Sequence, residues 1–444
     1  MRALTRKSMV IAFWAISALS AGMQASAALA ERIVRTKVSG VDIVIYPMGV
    51  QDVVTIAGNL PAGDAYAVQG NILAATATGI LIEKGTTKQD KFAIAQQLDD
   101  VGAQLRFSVS DQMLSVNAKS LKTDLPLVIQ LMAEQLRTPL LSEEEFAKTK
   151  TQLEGSIRQS LEDPEARAKE AFGRSVFPVG HPNRPSSSQE QLAALKQLTL
   201  NDVKAFHRKY YGPANLTLVF VGDVDSQAIQ AEVKKAFAGW TGGVAAKRSA
   251  NAAKARSTPE QTIVLQDKAS VAVVIGQATG LRYQDADSLA LRVGTAILGS
   301  GFTGRLMASV RDAEGLTYGI GARASDDTFL DGDVAISATF APQLLAKGIT
   351  STRREIDKWW QEGVTAQELT ARKTNMIGAY EVGLSTTGGV ASAILQTLNR
   401  GKNLTWLDEY PKAIQDLTLA QVNGAIRKYL EPEKMVLVKA GTLP

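Results

Sequence analysis

One segment of the chain occurs twice. Residues 198–224 align without a gap with residues 417–443 at a constant offset of 219, and 11 of the 27 positions are identical. Each copy contains a helical pattern followed by a run of apolar residues, so a helix and a strand are repeated in register. This self-similarity predicts two similar domains in tandem. A chain of 444 residues accommodates two domains of about 210 residues each.

The N-terminus has the pattern of a secretory signal. Three basic residues precede a stretch of 13 mainly apolar residues, 9–21, and A-x-A cleavage sites end at Ala27 and at Ala30. This apolar stretch is too short for a membrane anchor, which needs about 20 residues. We therefore predict a signal peptide over residues 1–27, with cleavage after Ala30 as the alternative. The mature protein is expected to be periplasmic and to have no stable membrane span.

Charge and cysteine content exclude several classes of partner and site. The predicted signal carries three of the 49 basic residues and none of the 44 acidic ones, so the mature chain has a net charge near +2. That balance gives no reason to expect a nucleic acid partner. The absence of cysteine excludes disulfides and thiolate zinc sites.

Strand and helix patterns in both halves predict an α+β fold. Residues 239–261 are rich in small and charged residues without apolar periodicity, as in a linker. We therefore predict an N-terminal domain over 31–238 and a C-terminal domain over 262–444, each a mostly antiparallel sheet covered by helices. The main predicted elements are strands at 41–46, 53–57, 263–265, 271–275 and 333–339, a hairpin around 111–112, and helices at 67–82, 91–101, 125–136 and 285–298.

Two conspicuous motifs do not predict a site. The glycine-rich loop at 299–304 matches G-x-G-x-x-G, but it follows a predicted helix and no βαβ unit surrounds it, so we interpret it as a helix-to-helix turn. The two histidines, His181 and His207, lie 26 residues apart, whereas a zinc site draws several ligands together. The repeat places Ile426 at the position of His207, which favours a packing role for that histidine.

The segment from Arg311 to Tyr318 offers the clearest chemistry. Arg311 is predicted near the end of a helix that Gly315 terminates, and Tyr318 near the start of the next strand. A guanidinium and a phenol aimed at one point suit a peptide carbonyl or its oxyanion. The alternative is a helix-terminal arginine favoured by the dipole and a packed tyrosine. Local pattern alone favours this alternative.

Taken together, these segments resemble the pitrilysin/insulinase-type metallopeptidases, which include mitochondrial processing peptidase. The resemblance covers essentially the whole mature chain and implies a clamshell half built from two similar domains. The segments that carry it are Gly85-Thr86, residues 98–103, Thr138-Pro139, Asp163-Pro164, His181-Pro182, residues 301–306, residues 311–318 and both copies of the repeat.

The resemblance also shows what this chain lacks. Active members carry His-x-x-Glu-His just before the Gly-Thr turn, in which two histidines bind zinc and the glutamate activates water. The matching positions here are Thr76, Gly79 and Ile80, and the downstream glutamate ligand aligns with Ser156, two residues from Glu154. The resemblance therefore implies no metal and no cofactor in this chain.

The second half of the family site is retained. The resemblance assigns Arg311 and Tyr318 to the arginine and tyrosine that hold the scissile carbonyl. This assignment reverses the preference for a packing role that the local pattern alone gave. It implies a non-zinc subunit, not catalytic alone, whose homologous partner carries zinc on His-x-x-Glu-His and whose substrate is a peptide. The alternatives are a catalytically inactive peptide-binding or complex-organising module of the same fold, and an enzyme with unrelated chemistry.

Overall fold

The computed structural model describes residues 28–444 except 68–69, 245–251, 257, 326 and 444. The predicted signal peptide lies outside the described residues. Within the described part of the chain, no helix combines the length and the hydropathy needed to cross a membrane.

Two sheets form the centre of the molecule. The strands are β1 (Val34–Val38), β2 (Val41–Pro47), β3 (Val53–Leu60), β4 (Gln104–Val109), β5 (Leu114–Leu121), β6 (Thr217–Gly222), β7 (Gln261–Val264), β8 (Val271–Ala278), β9 (Thr317–Ser325), β10 (Asp333–Phe340) and β11 (Val436–Gly441). The first sheet has the order β1-β2-β6-β3-β5-β4 and the second β7-β11-β8-β10-β9. Only β2 with β6 and β7 with β11 pair in parallel among these strands. The prediction of two mostly antiparallel sheets is confirmed.

Helices cover both sheets. In the described residues they are α1 (Ala74–Leu81), α2 (Lys91–Asp100), α3 (Leu125–Arg137), α4 (Glu143–Glu162), α5 (Pro164–Val176), α6 (Ser188–Gln197), α7 (Leu200–Tyr210), α8 (Ser226–Ala236), α9 (Ser288–Gly299), α10 (Leu345–Glu362), α11 (Ala366–Gly383), α12 (Thr387–Asn399), α13 (Trp406–Gln415) and α14 (Leu419–Tyr429). A π-helical turn, Met307–Ala313, lies between α9 and β9.

The repeated segment folds the same way twice. Each copy begins with a capping box at Thr199 or Thr418, where the threonine and the residue three places later satisfy each other's backbone amides. Each helix leads into a central strand, β6 or β11. Each strand ends at a glycine, Gly222 or Gly441, with φ of 141° and 146°. A side chain at either glycine would collide with the neighbouring strand, so both copies need glycine there.

The two halves exchange one helix each. Helix α5 belongs to the first half of the chain but packs Phe172 and Val176 on the second sheet. Helix α12 belongs to the second half and packs Val390 and Ile394 on the first sheet. Each sheet is therefore covered by helices on both faces. On one face, the covering helix comes from the other half of the chain.

This exchange explains the composition of the central strand β6. Leu218 and Phe220 face the helices of their own half, whereas Val219 and Val221 face α12. A strand buried on both faces is apolar at successive positions and does not alternate with polar residues.

Several boundaries differ from the sequence predictions, and two of them concern the helix of the predicted site and the linker. The helix predicted at 67–82 is wrong in its first half, because α1 begins at Ala74. The Asn71 side chain accepts a hydrogen bond from the amide of Leu73 at 3.0 Å, and Gly70-Asn71 is turn chemistry that the apolar run concealed. Strand β7 begins at Gln261, the last residue of the predicted linker. The other limits of the two domains stay a prediction.

Candidate functional site

The positions predicted to correspond to a zinc motif lie on α1, where they make other contacts. The Thr76 hydroxyl donates to the Asp64 carboxylate, with oxygen–oxygen distances of 2.8 and 2.9 Å. Gly79 is buried, and a Cβ built on it would overlap Cγ2 of Val109 on β4. Ile80 is apolar. A metal-binding or basic side chain at position 79 therefore has no room, and Thr76 is committed to Asp64.

The position of Asp64 beside α1 raises the pKa of its carboxyl. Burial raises the pKa of its carboxyl to about 6, and the nearby charge of Asp111 adds to the increase. The hydrogen bonds from Thr76 oppose it. The group thus titrates well above the usual range of an aspartate.

The downstream ligand position does not supply a metal ligand either. Ser156 is exposed on α4. Glu154 is exposed and pairs with Arg158 one helical turn away, at 2.7 Å. In the part of the chain that the structure describes, no three His, Asp, Glu or Cys side chains are grouped closely enough to hold a metal ion. The residues at these positions therefore do not fit the zinc site of the active peptidases.

Arg311 and Tyr318 lie side by side. The guanidinium carbon of Arg311 is 5.4 Å from the ring centroid of Tyr318 and 5.5 Å from that of Phe302. Tyr318 is 89% exposed and Phe302 76% exposed. The tyrosine is therefore not packed against the core, and the cation lies between two accessible aromatic rings.

The backbone holds Arg311 in an unusual helical turn. Arg311 lies in the π-helical turn, a rare conformation that often occurs at functional sites. Gly315 follows with φ of 64°, and its amide donates to the Arg311 carbonyl at 2.9 Å. Glu314 accepts hydrogen bonds from Ser351 and Arg354 on α10, at 2.5 and 2.6 Å. These bonds fix the end of the turn relative to α10.

The glycine-rich loop brings Phe302 to this site. Residues 299–304 connect α9 to the helical segment that contains Arg311, as predicted for a helix-to-helix turn. A Cβ on Gly299 would collide with the backbone of Ala322 on β9, so the loop allows α9 to approach the sheet closely. Sequence reasoning missed Phe302. The available signal was a single aromatic residue in a loop of small residues.

A cavity of about 490 Å³ adjoins Tyr318. Gly319, Gly321 and Arg323 of β9 line it together with Glu165 and Lys169 of α5. Strand β9 is an edge strand, so its outer backbone groups are not used within the sheet. The arrangement offers an accessible, mixed polar and apolar surface next to the Arg311–Tyr318 pair.

His181 joins the two halves of the chain. It is buried, and its Nδ1 accepts the Asn183 amide at 3.1 Å, so Nε2 carries the proton and donates to Asp331 at 3.1 Å. Burial alone would raise the pKa of Asp331, but hydrogen bonds from His181 and the Ala253 amide outweigh it and hold the pKa below its usual value. His181 is thus a structural residue.

His207 is also structural. Its Nε2 lies 2.9 Å from the Leu136 carbonyl, and its ring packs on Tyr211 with centroids 4.7 Å apart. Burial lowers its pKa. This confirms the packing role expected from its replacement by Ile426 in the repeat.

Comparison with known proteins identifies the family. Residues 80–182 match the model of the insulinase family, peptidase family M16, and residues 197–376 match the model described as the peptidase M16 inactive domain. The chain belongs to the insulinase (M16) family of peptidases. Its match to the inactive domain indicates a non-catalytic M16-like subunit.

Relatives within the family support this placement. An uncharacterized zinc protease of Streptomyces coelicolor is 27% identical over 319 residues, which is 71% of this chain and 69% of that protein. A non-peptidase homolog of Helicobacter pylori is 21% identical over 361 residues, or 79% of this chain and 80% of that protein. A solved structure described as a peptidase M16 inactive domain, from Pseudomonas fluorescens, superimposes with a TM-score of 0.84 at 21% identity and covers 93% of this chain and 98% of that one. The structural match shows the M16 fold.

Proposed function

We propose that this M16 chain is the non-zinc subunit of a heterodimeric zinc peptidase. Its Arg311 and Tyr318 bind the scissile carbonyl of a peptide, and a homologous partner with His-x-x-Glu-His supplies the zinc ion and the general base. The observation that carries the proposal is an asymmetry. The position of the catalytic base on α1 is closed by Val109, whereas Arg311 and Tyr318 are adjacent and accessible.

The chemistry of the pair suits a carbonyl that gains negative charge. A guanidinium and a phenol are both hydrogen-bond donors, and the guanidinium keeps its proton at any physiological pH. Donors held in place before the reaction stabilise an oxyanion without reorganisation in the transition state. The Gly315 amide donates to the Arg311 carbonyl, and Glu314 accepts hydrogen bonds from Ser351 and Arg354, which together hold the backbone of the Arg311 turn in place.

The surroundings of the pair suit an extended peptide. The cavity next to Tyr318 lies between α5 and strands β8, β9 and β10, of which β9 is the edge strand, and it contains charges of both signs, from Glu165, Lys169 and Arg323. An edge strand can form main-chain hydrogen bonds with an extended chain, while the cavity receives side chains. Peptide substrates fit this surface better than a small metabolite, for which an enclosed site is usual.

Complementation tests the proposal. The purified chain should bind no zinc and cleave no peptide, and a homologous chain with His-x-x-Glu-His should form a complex with it. Peptide cleavage should then appear in the mixture and depend on zinc in the partner. Stoichiometric zinc or cleavage by the isolated chain, after removal of contaminating proteases, would refute the subunit assignment.

The similarity to a non-peptidase homolog of Helicobacter pylori supports the second candidate function. On that view the chain binds peptides or organises a complex without contributing to cleavage. The two candidates differ in the partner, since the module would form its complex with a chain that itself lacks the zinc motif. Identification of the co-purifying chain by mass spectrometry distinguishes them.

The contacts of Leu29 and Ala30 favour signal cleavage after Ala27 over cleavage after Ala30. The amides of Leu29 and Ala30 donate to the Asp408 carboxylate on α13, at 2.8 and 2.9 Å. Cleavage after Ala30 would remove both bonds. We expect a periplasmic protein whose intact mass corresponds to a chain that starts at Ala28. A mass that starts at Glu31, or a chain retained in the cytoplasm with its N-terminus intact, would contradict this.

A further inference from the structure

A second pocket in the C-terminal half lies apart from the Arg311 site. It has a volume of about 330 Å³ and lies between α11, α12 and α13. Its walls are aromatic: the centroids of Tyr380 and Tyr410 are 4.8 Å apart, and those of Trp406 and Tyr410 are 5.9 Å apart. This volume is at the lower end of ligand pockets in proteins and matches one amino-acid-sized group.

Arg400 lines this pocket without an anionic partner. Its guanidinium carbon is 3.8 Å from the ring centroid of Tyr283, which is a stacking distance. Its Nε atom is inaccessible and has no hydrogen-bond partner. No carboxylate of the described residues forms an ion pair with it. The residue is half-buried, and its Nε group lacks the acceptor that normally compensates the removal of a polar group from water.

A second arginine near the same ring provides a contrast. Arg292 lies over Tyr283 at 5.0 Å, but its guanidinium pairs with the Asp327 carboxylate and also donates to a backbone carbonyl. One of the two cations that flank Tyr283 is thus neutralised within the protein. The other, Arg400, faces the pocket with its charge uncompensated.

Phenol groups add hydrogen-bond donors beside Arg400. Tyr283 is only 6% exposed, and neither its hydroxyl nor that of Tyr410 bonds to any residue that the structure describes, whereas Tyr380 donates to the Leu407 carbonyl at 2.7 Å. Burial raises the pKa of Tyr410, so its hydroxyl keeps its proton and can donate.

The remaining charges near the pocket do not cancel that of Arg400. The Lys402 ammonium lies 5.0 Å from the Trp406 ring. The Asp408 carboxylate accepts hydrogen bonds from the amides of Leu29 and Ala30, and burial together with the negative charge of Asp408 raises the pKa of Tyr380. Arg400 and Lys402 are thus two cations against this one carboxylate. The electrostatic balance of the pocket therefore favours an anion.

We propose that this pocket binds a carboxylate attached to an aromatic or large apolar group. The carboxylate lies against Arg400 and the free phenol hydroxyls, and the apolar group lies among Tyr380, Trp406 and Tyr410. Guanidinium and phenol donors match the acceptor oxygens of a carboxylate. The same chemistry is present in a free aromatic acid and in the C-terminal residue of a peptide.

Calorimetric titration of the full mature chain tests the pocket. The probes are N-acetyl-phenylalanine, a tetrapeptide that ends in phenylalanine with a free carboxylate, and the C-terminal amide of each. Both acids should bind, and each amide should bind about tenfold more weakly, because a charged hydrogen-bonded contact is lost. Tighter binding of the tetrapeptide indicates a peptide C-terminus as ligand, and equal binding indicates the terminal residue alone.

Variants connect this binding to the named residues. Arg400→Gln should weaken binding of the acids about tenfold or more and remove the preference over the amides. Arg208→Gln makes the same charge change at an exposed position on α7. It should leave the affinity for the acids and the preference over the amides unchanged. If Arg400→Gln unfolds at a lower temperature than the parent protein, Tyr410→Phe serves as the second variant. It removes only a hydroxyl and should weaken binding about three- to tenfold. Absence of saturable binding of either acid, or equal affinity for acids and amides, would overturn the proposal.

Discussion

At the scale of single residues, packing as well as side-chain type makes positions 76 and 79 of α1 unsuited to a zinc site. Thr76 forms hydrogen bonds with Asp64, and Gly79 allows Val109 to approach α1. Restoring histidine at positions 76 and 80 and glutamate at position 79 should not restore a working zinc site unless Val109 is also reduced in size and position 156 supplies a ligand.

Gly79→Ala measures how tightly this position is closed. Alanine is preferred over glycine in a helix by about 1 kcal/mol, but the added methyl group overlaps Val109. Overpacking of this kind typically costs about 1–3 kcal/mol, so we expect a lower free energy of unfolding in urea. The added change Val109→Ala should recover part of the loss.

Gly155→Ala is the matched control for that experiment. Gly155 lies within α4, and a Cβ there would meet nothing within 4 Å. This substitution should leave stability unchanged or raise it by up to about 1 kcal/mol. Equal effects of the two glycine substitutions would show that position 79 has room for a side chain.

The raised pKa of Asp64 makes the free energy of unfolding depend on pH. Its pKa is raised from 3.8 to about 6 in the folded protein, so the folded state retains a proton that the unfolded state releases. The stabilisation from protonated Asp64 is complete below about pH 4 and is lost as pH rises to about 6, by at most about 3 kcal/mol. Asp64→Asn should remove this decrease, measured by urea unfolding at pH 4.5 and 7. An unchanged decrease in the variant would assign it to other groups.

At the scale of elements, the exchange of α5 and α12 makes the two halves one cooperative unit. The apolar face of each sheet is complete only when the helix from the other half is present. Chain segments that bury each other's apolar surface unfold together. The duplicated domains are therefore not independent in stability.

Ile394→Ala on α12 tests this coupling. Ile394 is fully buried against the first sheet, and such truncations cost about 2–5 kcal/mol. We expect a calorimetric scan with a single transition at lower temperature, whereas Ser392→Ala, at an exposed position of the same helix, should change little. Two separate transitions, of which only one shifts, would contradict the coupling.

Local patterns predicted most elements, while contacts between distant elements decided the rest. The repeat located α7, β6, α14 and β11 because capping threonines and terminal glycines act within a few residues. The predicted helix at 67–82 was wrong in its first half because Gly70-Asn71 forms a turn within an apolar run. Nothing local indicates that α12 covers the other half's sheet or that Phe302 lies against Arg311, since both depend on the tertiary fold.

At the scale of the whole molecule, the duplication has left two different sites on one framework. The first half has the M16 fold with Val109 packed against Gly79 of α1, and the second half has the half-buried Arg311 next to the exposed Tyr318 at the start of an edge strand. In the proposed function these features complement a partner with an intact zinc motif. The carbonyl-binding role of Arg311 and Tyr318 is the central claim of the proposed function.

The most direct test is the kcat for peptide cleavage by the reconstituted pair with Arg311→Ala or Tyr318→Phe in this chain. Each should lower kcat by about 100- to 1,000-fold, as expected for the loss of one oxyanion donor, while complex formation and zinc content stay unchanged. The control Arg208→Ala, at an exposed position outside the site, should retain full activity. Unchanged kcat in both site variants would contradict the assigned role.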